Sequence, residues 1–284
     1  MERRHDPRPW QTGVLLTLLA WGALGLDFEV DAGRAAATLG AALLTQWACT
    51  RLWRLPRFDP RSALLSGLSL SLLLRADAFW PLPLAAMIAV VSKFAIRRDG
   101  KHLFNPSCLA IVVLLACSDE VWVSAGQWGT SALFAFAAAG LGTLVVRRAE
   151  RSDITWAFLG AWTALLAGRA LWLGDPLAIP LHALQNGALL VFAFFMISDP
   201  RTIPDSRAGR VLFACGVATA AWGLQFVFYQ TNSLLWALAG AAPFVPLIDR
   251  LLPGGRHAWT DTATTPVGAA PIAVKQIATA GAPA

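Results

Sequence analysis

The chain has 284 residues, of which 56% are hydrophobic and 14% charged, and its mean hydropathy is +0.56. This balance excludes an ordinary soluble domain and indicates an integral membrane protein. The net charge of +6 comes in short basic groups between apolar runs rather than in one basic domain, which argues against a nucleic-acid-binding protein.

Ten apolar segments follow one another along the chain, and each is a candidate membrane helix. They lie at 12–26, 35–52, 62–74, 81–96, 106–118, 130–146, 154–173, 181–198, 209–228 and 233–249. The predicted fold class is therefore an all-α integral membrane protein with about ten transmembrane helices over residues 1–252. The segments at 62–74 and 106–118 are shorter than the roughly 20 residues of a straight span, so we expect them to stop partway or to use flanking residues.

The basic residues predict how these segments are oriented. With ten spans and both termini in the cytoplasm, all but three of the 23 Lys and Arg residues lie on the cytoplasmic side, the exceptions being Arg34, Arg75 and Arg169. Cytoplasmic loops of membrane proteins carry an excess of Lys and Arg. The pattern predicts a multi-pass protein of a bacterial-type inner membrane. The Gly-, Pro-, Ala- and Thr-rich residues 253–284 predict a disordered cytoplasmic tail.

A basic turn precedes the segment at 106–118. Asn105 is suited to accept a free helix N–H as an N-cap, and Pro106 suits the first helical position, so a helix is expected to begin here. The basic residues just before it are Lys93, Arg97, Arg98, Lys101 and His102. Together with the positive end of the helix they form a candidate anion site, with Lys101, His102 and Asn105 holding the polar end of a ligand. The alternative is that they only determine topology.

Two similar patterns lie 120 positions apart, one from Ala63 to Gly67 and the other from Ala183 to Gly187. In the ten-span topology the two run in opposite directions, which favours an inverted repeat of five helices against five, over 1–118 and 130–252. Such repeats place a binding site near their interface, so the candidate lining residues are Ser66, Gly67, Asn186 and Gly187. Coincidence is the alternative, because Ala, Leu and Gly are abundant here and glycine often serves helix packing.

A further candidate residue is Asp199, which lies between Ser198 and Pro200 after the eighth segment. Pro200 and Pro204 prevent a simple helical continuation. The carboxylate either belongs to a solvated turn or faces the basic turn at Lys101 and orients a bound polar group.

The sequence lacks the residue patterns that several common kinds of functional site require. No phosphate-binding glycine-rich loop is present, the four cysteines are not clustered for a metal or an iron–sulfur centre, and His102 and His182 belong to opposite sides, which disfavours a haem. The polar groups at membrane depth are neutral, namely Gln46, Asn186 and Gln225, which disfavours a stand-alone ion pump.

Three runs of residues resemble the RnfD and NqrB membrane subunit family. They are 61–74, the run Lys101-His102-Leu103-Phe104-Asn105-Pro106, and Ser198-Asp199-Pro200 with Gly209-Arg210 after it. The resemblance covers residues 57–250, and in length the chain is closer to a compact stand-alone branch, the enediyne biosynthesis proteins of UnbU type. It implies a ten-helix inverted-repeat subunit of the Rnf or sodium-pumping NADH:quinone reductase kind, which holds flavin and passes electrons to partner subunits.

The same resemblance bears on how a flavin would be held. Family members carry FMN on a threonine of an Asp-Gly-x-Ser/Thr-Gly-Ala-Thr motif, and the corresponding stretch here runs from Val123 to Leu133. Ser131 stands where the acceptor threonine would be, next to Thr130, but Ala125 replaces the leading aspartate. A non-covalent FMN or riboflavin is therefore favoured, with Thr130 and Ser131 as the candidates if attachment occurs.

The sequence is consistent with two main functional hypotheses. The first is an electron-transfer subunit of an oxidoreductase complex that binds a flavin or a quinone between the repeats and needs partner subunits, because the chain has no second redox centre. The second is a permease or exporter of a small molecule on the same fold, without redox chemistry. A scaffold that has lost the cofactor is a third possibility.

Overall fold

The computed structural model describes residues 8–25, 31–98, 100–123, 140, 142–143 and 152–255, and most of them are helical. The helices are α1 (Arg8–Gly25), α2 (Ala32–Leu52), α3 (Pro60–Leu73), α4 (Pro81–Ala95), α5 (Pro106–Cys117), α6 (Ser152–Leu173), α7 (Ala178–Leu184), α8 (Gly187–Val191), α9 (Arg207–Phe226), α10 (Ser233–Ala241) and α11 (Val245–Leu251). A π-helical turn (Phe192–Met196) continues α8, and a 3-10 turn (Ala242–Phe244) joins α10 to α11. The strands are β1 (Leu74–Ala76), β2 (Arg97–Arg98), β3 (Lys101–His102) and β4 (Val121–Val123).

The expected helical, membrane-type architecture is confirmed, but the count of ten spans is not. Within the described ranges, two helical stretches are long and apolar enough to cross a membrane, Ser152–Leu173 and Ser233–Leu251. The segment predicted at 181–198 is instead two helices bent by 54° at a short break, and it makes a third crossing if the pair is one span. The segment predicted at 130–146 lies outside the described residues apart from 140 and 142–143.

The short helix α3 is completed by extended chain, as its length suggests. It has 14 residues, is buried through most of its length and passes directly into β1, which pairs antiparallel with β4 after α5. Helix and strand together would measure about 31 Å along one axis, close to the thickness of a bilayer core of about 30 Å. The pairing of β1 with β4 satisfies backbone groups that a lipid environment could not.

The helices pack in two similar groups. In the first, α2 lies along α4 and α3, and α4 contacts α5; in the second, α6 lies along α9, and α9 contacts α10. Contact between α5 and α10 joins the two groups. The core between them is apolar, and Phe158, Phe194 and Ile111 are almost completely buried.

Candidate functional site

A cavity of about 410 Å³ opens where the loops after α2, α4 and the π-helical turn meet. Its charged lining residues are Arg8, Arg57, Asp59, Lys93, Arg97, Asp199 and Arg201, and its other polar lining residues are Gln11, Gln46, Ser62, Ser66, Ser69, His102, Asn105 and Ser107. We call it the basic cavity. Its size is within the usual range of small-molecule sites, about 300–1,000 Å³.

The start of α5 forms one wall of the basic cavity, as the sequence predicts. The side-chain oxygen of Asn105 accepts a hydrogen bond from the Cys108 N–H at 3.0 Å, and Pro106 occupies the first turn. The amide of Asn105 also donates to the Met196 carbonyl at 3.3 Å, which ties α5 to the π-helical turn. The predicted N-cap is confirmed, and the positive end of this helix faces the cavity through Pro106 and Ser107.

Lys93 brings a buried ammonium group to the cavity from the last turn of α4. Its Nζ donates to the Ser62 carbonyl at 2.6 Å and to the Ser62 hydroxyl at 3.1 Å, and the residue is only 5% exposed. These contacts fix the lysine against α3, and no carboxylate oxygen among the described residues lies within 4.0 Å of its Nζ.

His102 is held in its neutral form. Burial, reinforced by the cations Arg201 and Arg97, lowers the pKa of His102 to about 3, although the Lys93 carbonyl opposes the shift. Its Nε2 lies 3.5 Å from a nitrogen of the Arg201 guanidinium, which can only donate, so this contact assigns the proton to Nδ1. The buried Nδ1 makes no hydrogen bond of good geometry among the residues described, but the Lys93 carbonyl interacts with the ring and opposes the shift. The Nδ1–H beside the cavity is therefore only weakly engaged.

Asp199 lies on the far side of the cavity in the loop after the π-helical turn. Burial raises the pKa of Asp199, while the Arg201 N–H, the Arg201 guanidinium and Lys93 act in the opposite direction. The backbone N–H of Arg201 donates to a carboxylate oxygen of Asp199 at 3.1 Å and fixes its orientation. Asp199 and His102 of the basic turn line the same cavity, whereas Lys101 does not.

Lys101 lies elsewhere. Its Nζ is 2.8 Å from Asp205 Oδ1, 2.9 Å from Asp249 Oδ2 and 2.9 Å from the Ile203 carbonyl. Neighbouring residues of a strand point to opposite faces, so the β2–β3 hairpin directs His102 to the basic cavity and Lys101 away from it. We call Lys101, Asp205 and Asp249 the ion cluster; it occupies the position that the sequence suggested for a ligand phosphate.

The candidate lining residues from the two similar patterns do not share a cavity. Ser66 lines the basic cavity from the middle of α3, whereas Asn186 is the N-cap of α8, accepting from the Ala188 N–H at 2.8 Å. Gly67 is a packing position, because a Cβ there would lie 2.9 Å from Leu39 Cδ2. Gly187 is the first residue of α8. The flavin-attachment candidates Thr130 and Ser131 lie outside the described residues.

Asn186 instead lines a second, larger cavity of about 880 Å³. Its walls are largely aromatic and apolar, and they carry Arg169, whose guanidinium lies 4.4 Å from the centre of the Phe226 ring and 3.7 Å from Asp175. The π-helical turn separates the two cavities, since Phe195 lines the basic cavity while Phe192 and Met196 line the larger one.

Several lining residues of the basic cavity were not predicted as site residues, among them Arg8, Asp59 and Gln46. Gln46 of α2 lines the basic cavity, is 6% exposed, and its side-chain oxygen has no hydrogen-bond partner among the described residues. A buried acceptor without a partner costs about 1–3 kcal/mol, so it calls for a ligand or a water. The sequence signal for Gln46 is a single amide side chain within an apolar helix, which by itself indicates only a neutral polar group.

Comparison with known proteins agrees with the motif resemblance. The NQR2, RnfD, RnfE family matches residues 119–254. The D subunit of the ion-translocating oxidoreductase complex from Stutzerimonas stutzeri is 26% identical over 286 aligned positions, which cover 75% of this chain and 81% of that protein. Proteins of the same description from Escherichia coli ATCC 8739 and Escherichia coli O81 are 32% and 28% identical over 130 residues, 45% of this chain.

These matches differ in extent. The aligned part spans only about a third of the length of the Escherichia coli relatives, 32% in each, whereas the Stutzerimonas relative is matched over most of its length. The motif positions 101–106 and 198–200, the family match and the relatives point to the same family. Over residues 119–254, a little under half of its length, the chain is similar to the NQR2, RnfD, RnfE family of membrane proteins.

Proposed function

We propose that the chain is a membrane electron-transfer subunit that holds a flavin, non-covalently, or a quinone in the basic cavity and works with partner subunits of an ion-translocating oxidoreductase complex. The names of its relatives support the class of complex. The observation that carries the ligand site is Gln46, whose buried side-chain oxygen lines the basic cavity without a partner among the described residues.

The residues present fit a flavin or quinone headgroup. A flavin ring edge offers both N–H donors and carbonyl acceptors, which complement the acceptor on Gln46 and the donor on His102 Nδ1. An oxidised quinone offers carbonyl acceptors alone, which would use His102 but leave Gln46 unsatisfied. The cavity therefore favours the flavin over the oxidised form of a quinone.

A bound flavin would supply the capacity to accept and release electrons, and the chain's own residues would bind and orient it. Positive charge from Lys93, Arg201 and the start of α5 favours any ligand state that carries more negative charge. Leu15, Leu65 and Phe195 line the apolar part of the cavity, where they would contact the ring.

The proposed architecture is an inverted repeat over 1–118 and 130–252, in a bacterial inner membrane, with both termini and the basic cavity on the cytoplasmic side. The similar packing of α2 with α4 and of α6 with α9 supports the repeat. The concentration of Arg and Lys around the basic cavity supports the orientation. Membership of the UnbU-type branch and a disordered tail from 253 stay predictions.

A permease is the second candidate, and one observation favours it. Two cavities lie on either side of a single π-helical turn, an arrangement that a carrier could use to open one site to either side in turn. Such a protein would be colourless and would bind its substrate without redox chemistry.

The test is an absorption spectrum of the detergent-purified protein, recorded before and after acid precipitation. We expect flavin bands that pass to the supernatant, as for a non-covalent cofactor. Bands that stay in the pellet would contradict non-covalent binding and direct attention to Thr130 and Ser131. A colourless, folded protein that binds neither added flavin nor a short-chain quinone would overturn the proposal in favour of the permease.

A further inference from the structure

The larger cavity, on the other side of the π-helical turn, has its charged groups at one end only. We call it the aromatic cavity, after the lining residues Trp122, Trp162, Phe192, Phe226 and Tyr229. Its charged lining residues are Arg169, near the end of α6, and Asp175, just after that helix. Trp162 lies seven residues before Arg169, about 10 Å deeper along the helix axis. The cavity therefore has a charged mouth and an apolar interior.

The mouth lies at the end of the molecule far from the basic cavity. Helix α9 begins six residues after Arg201 and extends for 20 residues, about 30 Å, to Phe226 at the mouth. This length matches the thickness of a bilayer core. Tyr229, the one tyrosine of the chain, lines the mouth and is 84% exposed, and Trp172 near the end of α6 is exposed as well. Because Tyr and Trp concentrate where the bilayer meets water, the mouth lies at the level of the lipid headgroups.

The short helix α7 forms one wall of the aromatic cavity. It has seven residues, contributes Ile179, Pro180 and Ala183 to the lining, and meets the next helix at a bend of 54°. Ile179 and Leu181 are nevertheless exposed. Exposed apolar side chains of a membrane protein at this depth face acyl chains, so the cavity adjoins the lipid region of the bilayer.

The two charges at the mouth form an incomplete pair. The Arg169 guanidinium and the Asp175 carboxylate are 3.7 Å apart, beyond hydrogen-bond distance, and the side chains are 34% and 39% exposed. The guanidinium also lies 4.4 Å from the centre of the Phe226 ring, which covers one of its faces. A cation and an anion placed side by side complement a zwitterionic group, whose phosphate pairs with the guanidinium and whose ammonium pairs with the carboxylate.

We propose that the aromatic cavity binds a phospholipid with a zwitterionic, primary-amine headgroup, phosphatidylethanolamine. Its phosphate contacts Arg169, its ammonium donates to Asp175, and one acyl chain lies between Trp162 and Phe192. The site is separate from the basic cavity, so the proposal stands whether or not that cavity binds a flavin. The acyl chain also contacts Met196, and the lipid therefore supports the π-helical turn from the side opposite the basic cavity.

The headgroup chemistry predicts discrimination among three lipids. A choline headgroup has no N–H to donate to Asp175, and phosphatidylglycerol has no cation, so its net negative charge is repelled by that carboxylate. We expect phosphatidylethanolamine to bind at least about five-fold more tightly than phosphatidylcholine or phosphatidylglycerol.

The experiment titrates the full chain, depleted of lipid in mild detergent, with these three phospholipids carrying brominated acyl chains. Bromine quenches tryptophan fluorescence on contact. Trp162 is the reporter, because it lines the cavity and is only 4% exposed. Its share of the quenching is the difference between the parent chain and Trp162→Phe. If that variant does not fold, Trp122→Phe, which alters another lining tryptophan, supplies the same difference.

Variants at the mouth test the headgroup contacts. Asp175→Asn should abolish the preference for phosphatidylethanolamine over phosphatidylglycerol, and Asp175→Glu should retain it. Arg169→Gln should lower the affinity for all three lipids, since each carries a phosphate. Asp119→Asn is the matched control: it removes an exposed carboxylate after α5, at the same end of the molecule but outside the lining, and should leave every affinity unchanged.

Two results would overturn the proposal. Equal quenching of Trp162 by the three lipids, unaffected by Asp175→Asn, would mean that acyl chains enter without recognition of a headgroup. Quenching of the same size in the parent chain and in the tryptophan variants would place the lipid on the outer surface of the helices rather than in the cavity.

Discussion

The ion cluster and the basic cavity lie on the two faces of one hairpin. The cation of the ion cluster is paired with carboxylates, whereas most cations of the basic cavity are not. In the ion cluster, Lys101 meets two aspartates and a carbonyl at 2.8–2.9 Å, so its charge is fully compensated. In the basic cavity, Lys93 and Arg201 have no ion pair within the described ranges. A cation with its own carboxylates holds the fold together, whereas a cation without one, such as the buried Lys93 or the exposed Arg201, is available for a ligand.

The largest expected effect is the loss of the ion cluster. Lys101→Met leaves Asp205 and Asp249 partly buried without their cation, and we expect a loss of about 3–5 kcal/mol in the free energy of unfolding. Chemical denaturation in mild detergent measures it. Flavin affinity of the folded fraction should be unchanged, and a selective loss of flavin affinity at normal stability would place Lys101 in the ligand site after all.

His102, on the opposite face of the same strand, should make the free energy of unfolding depend on pH. Its pKa is about 3 when folded and near 6.5 when unfolded, so between these values the unfolded state binds more protons. The stabilisation from neutral His102 is complete above pH 6.5 and is lost as the pH falls, by about 2 kcal/mol at pH 5.

The His102→Gln variant supplies the control for this pH dependence. Asp199 contributes with the opposite sign, since its raised pKa makes the folded state bind the extra proton above pH 3.8. Subtracting the variant's unfolding curve from that of the parent chain isolates His102. Equal slopes between pH 6.5 and 5 would mean that His102 titrates normally.

Asn105 connects the cavity wall to the π-helical turn. Asn105→Ala removes the N-cap of α5 and the hydrogen bond to the Met196 carbonyl, and we expect a loss of about 1–2 kcal/mol in unfolding free energy. Asn105→Ser keeps a capping oxygen and should recover part of the loss. Indistinguishable Ala and Ser variants would show that the cap is not what stabilises this helix.

Substitution of Gln46 should have the smallest effect on the free energy of unfolding, and its sign should be opposite to that of the control substitution. Gln46→Leu removes a buried acceptor without a partner among the described residues, so the ligand-free protein should be more stable by about 1 kcal/mol while flavin affinity falls. Gln225→Leu is the control, because the Gln225 oxygen accepts from the Ser233 hydroxyl at 3.3 Å and its loss should destabilise. A destabilising Gln46→Leu would mean that the amide is satisfied without a ligand.

Local rules accounted for much of the fold. The start of α5 at Pro106 with Asn105 as its cap follows from the chemistry of two adjacent residues. The shortness of the segment at 62–74 correctly signalled that helix alone would not complete it. The π-helical turn had no such signal, because its carbonyls are satisfied from distant helices, for example by the Thr155 hydroxyl at Ala193.

The candidate site was only partly predictable for the same reason. His102, Asn105, Ser66 and Asp199 were found from motifs and do line one cavity. Lys101 could not be separated from His102, because the two-residue strand that turns them apart is set by its pairing with Arg97 and Arg98. The partners of Lys101 come from positions 205 and 249, and no local pattern connects them to it.

The π-helical turn has a consequence for mutation of this protein. Each of its residues advances the helix less than an ordinary helical residue does, and three side chains, Thr155, Ser198 and Asn105, donate hydrogen bonds to its carbonyls in this register. Deleting one residue between Phe192 and Met196 would restore the regular period but rotate everything downstream by about 100° relative to those donors. A length change here would therefore alter which side chains line the basic cavity, since both Phe195 of the turn and Asp199 after it belong to that lining.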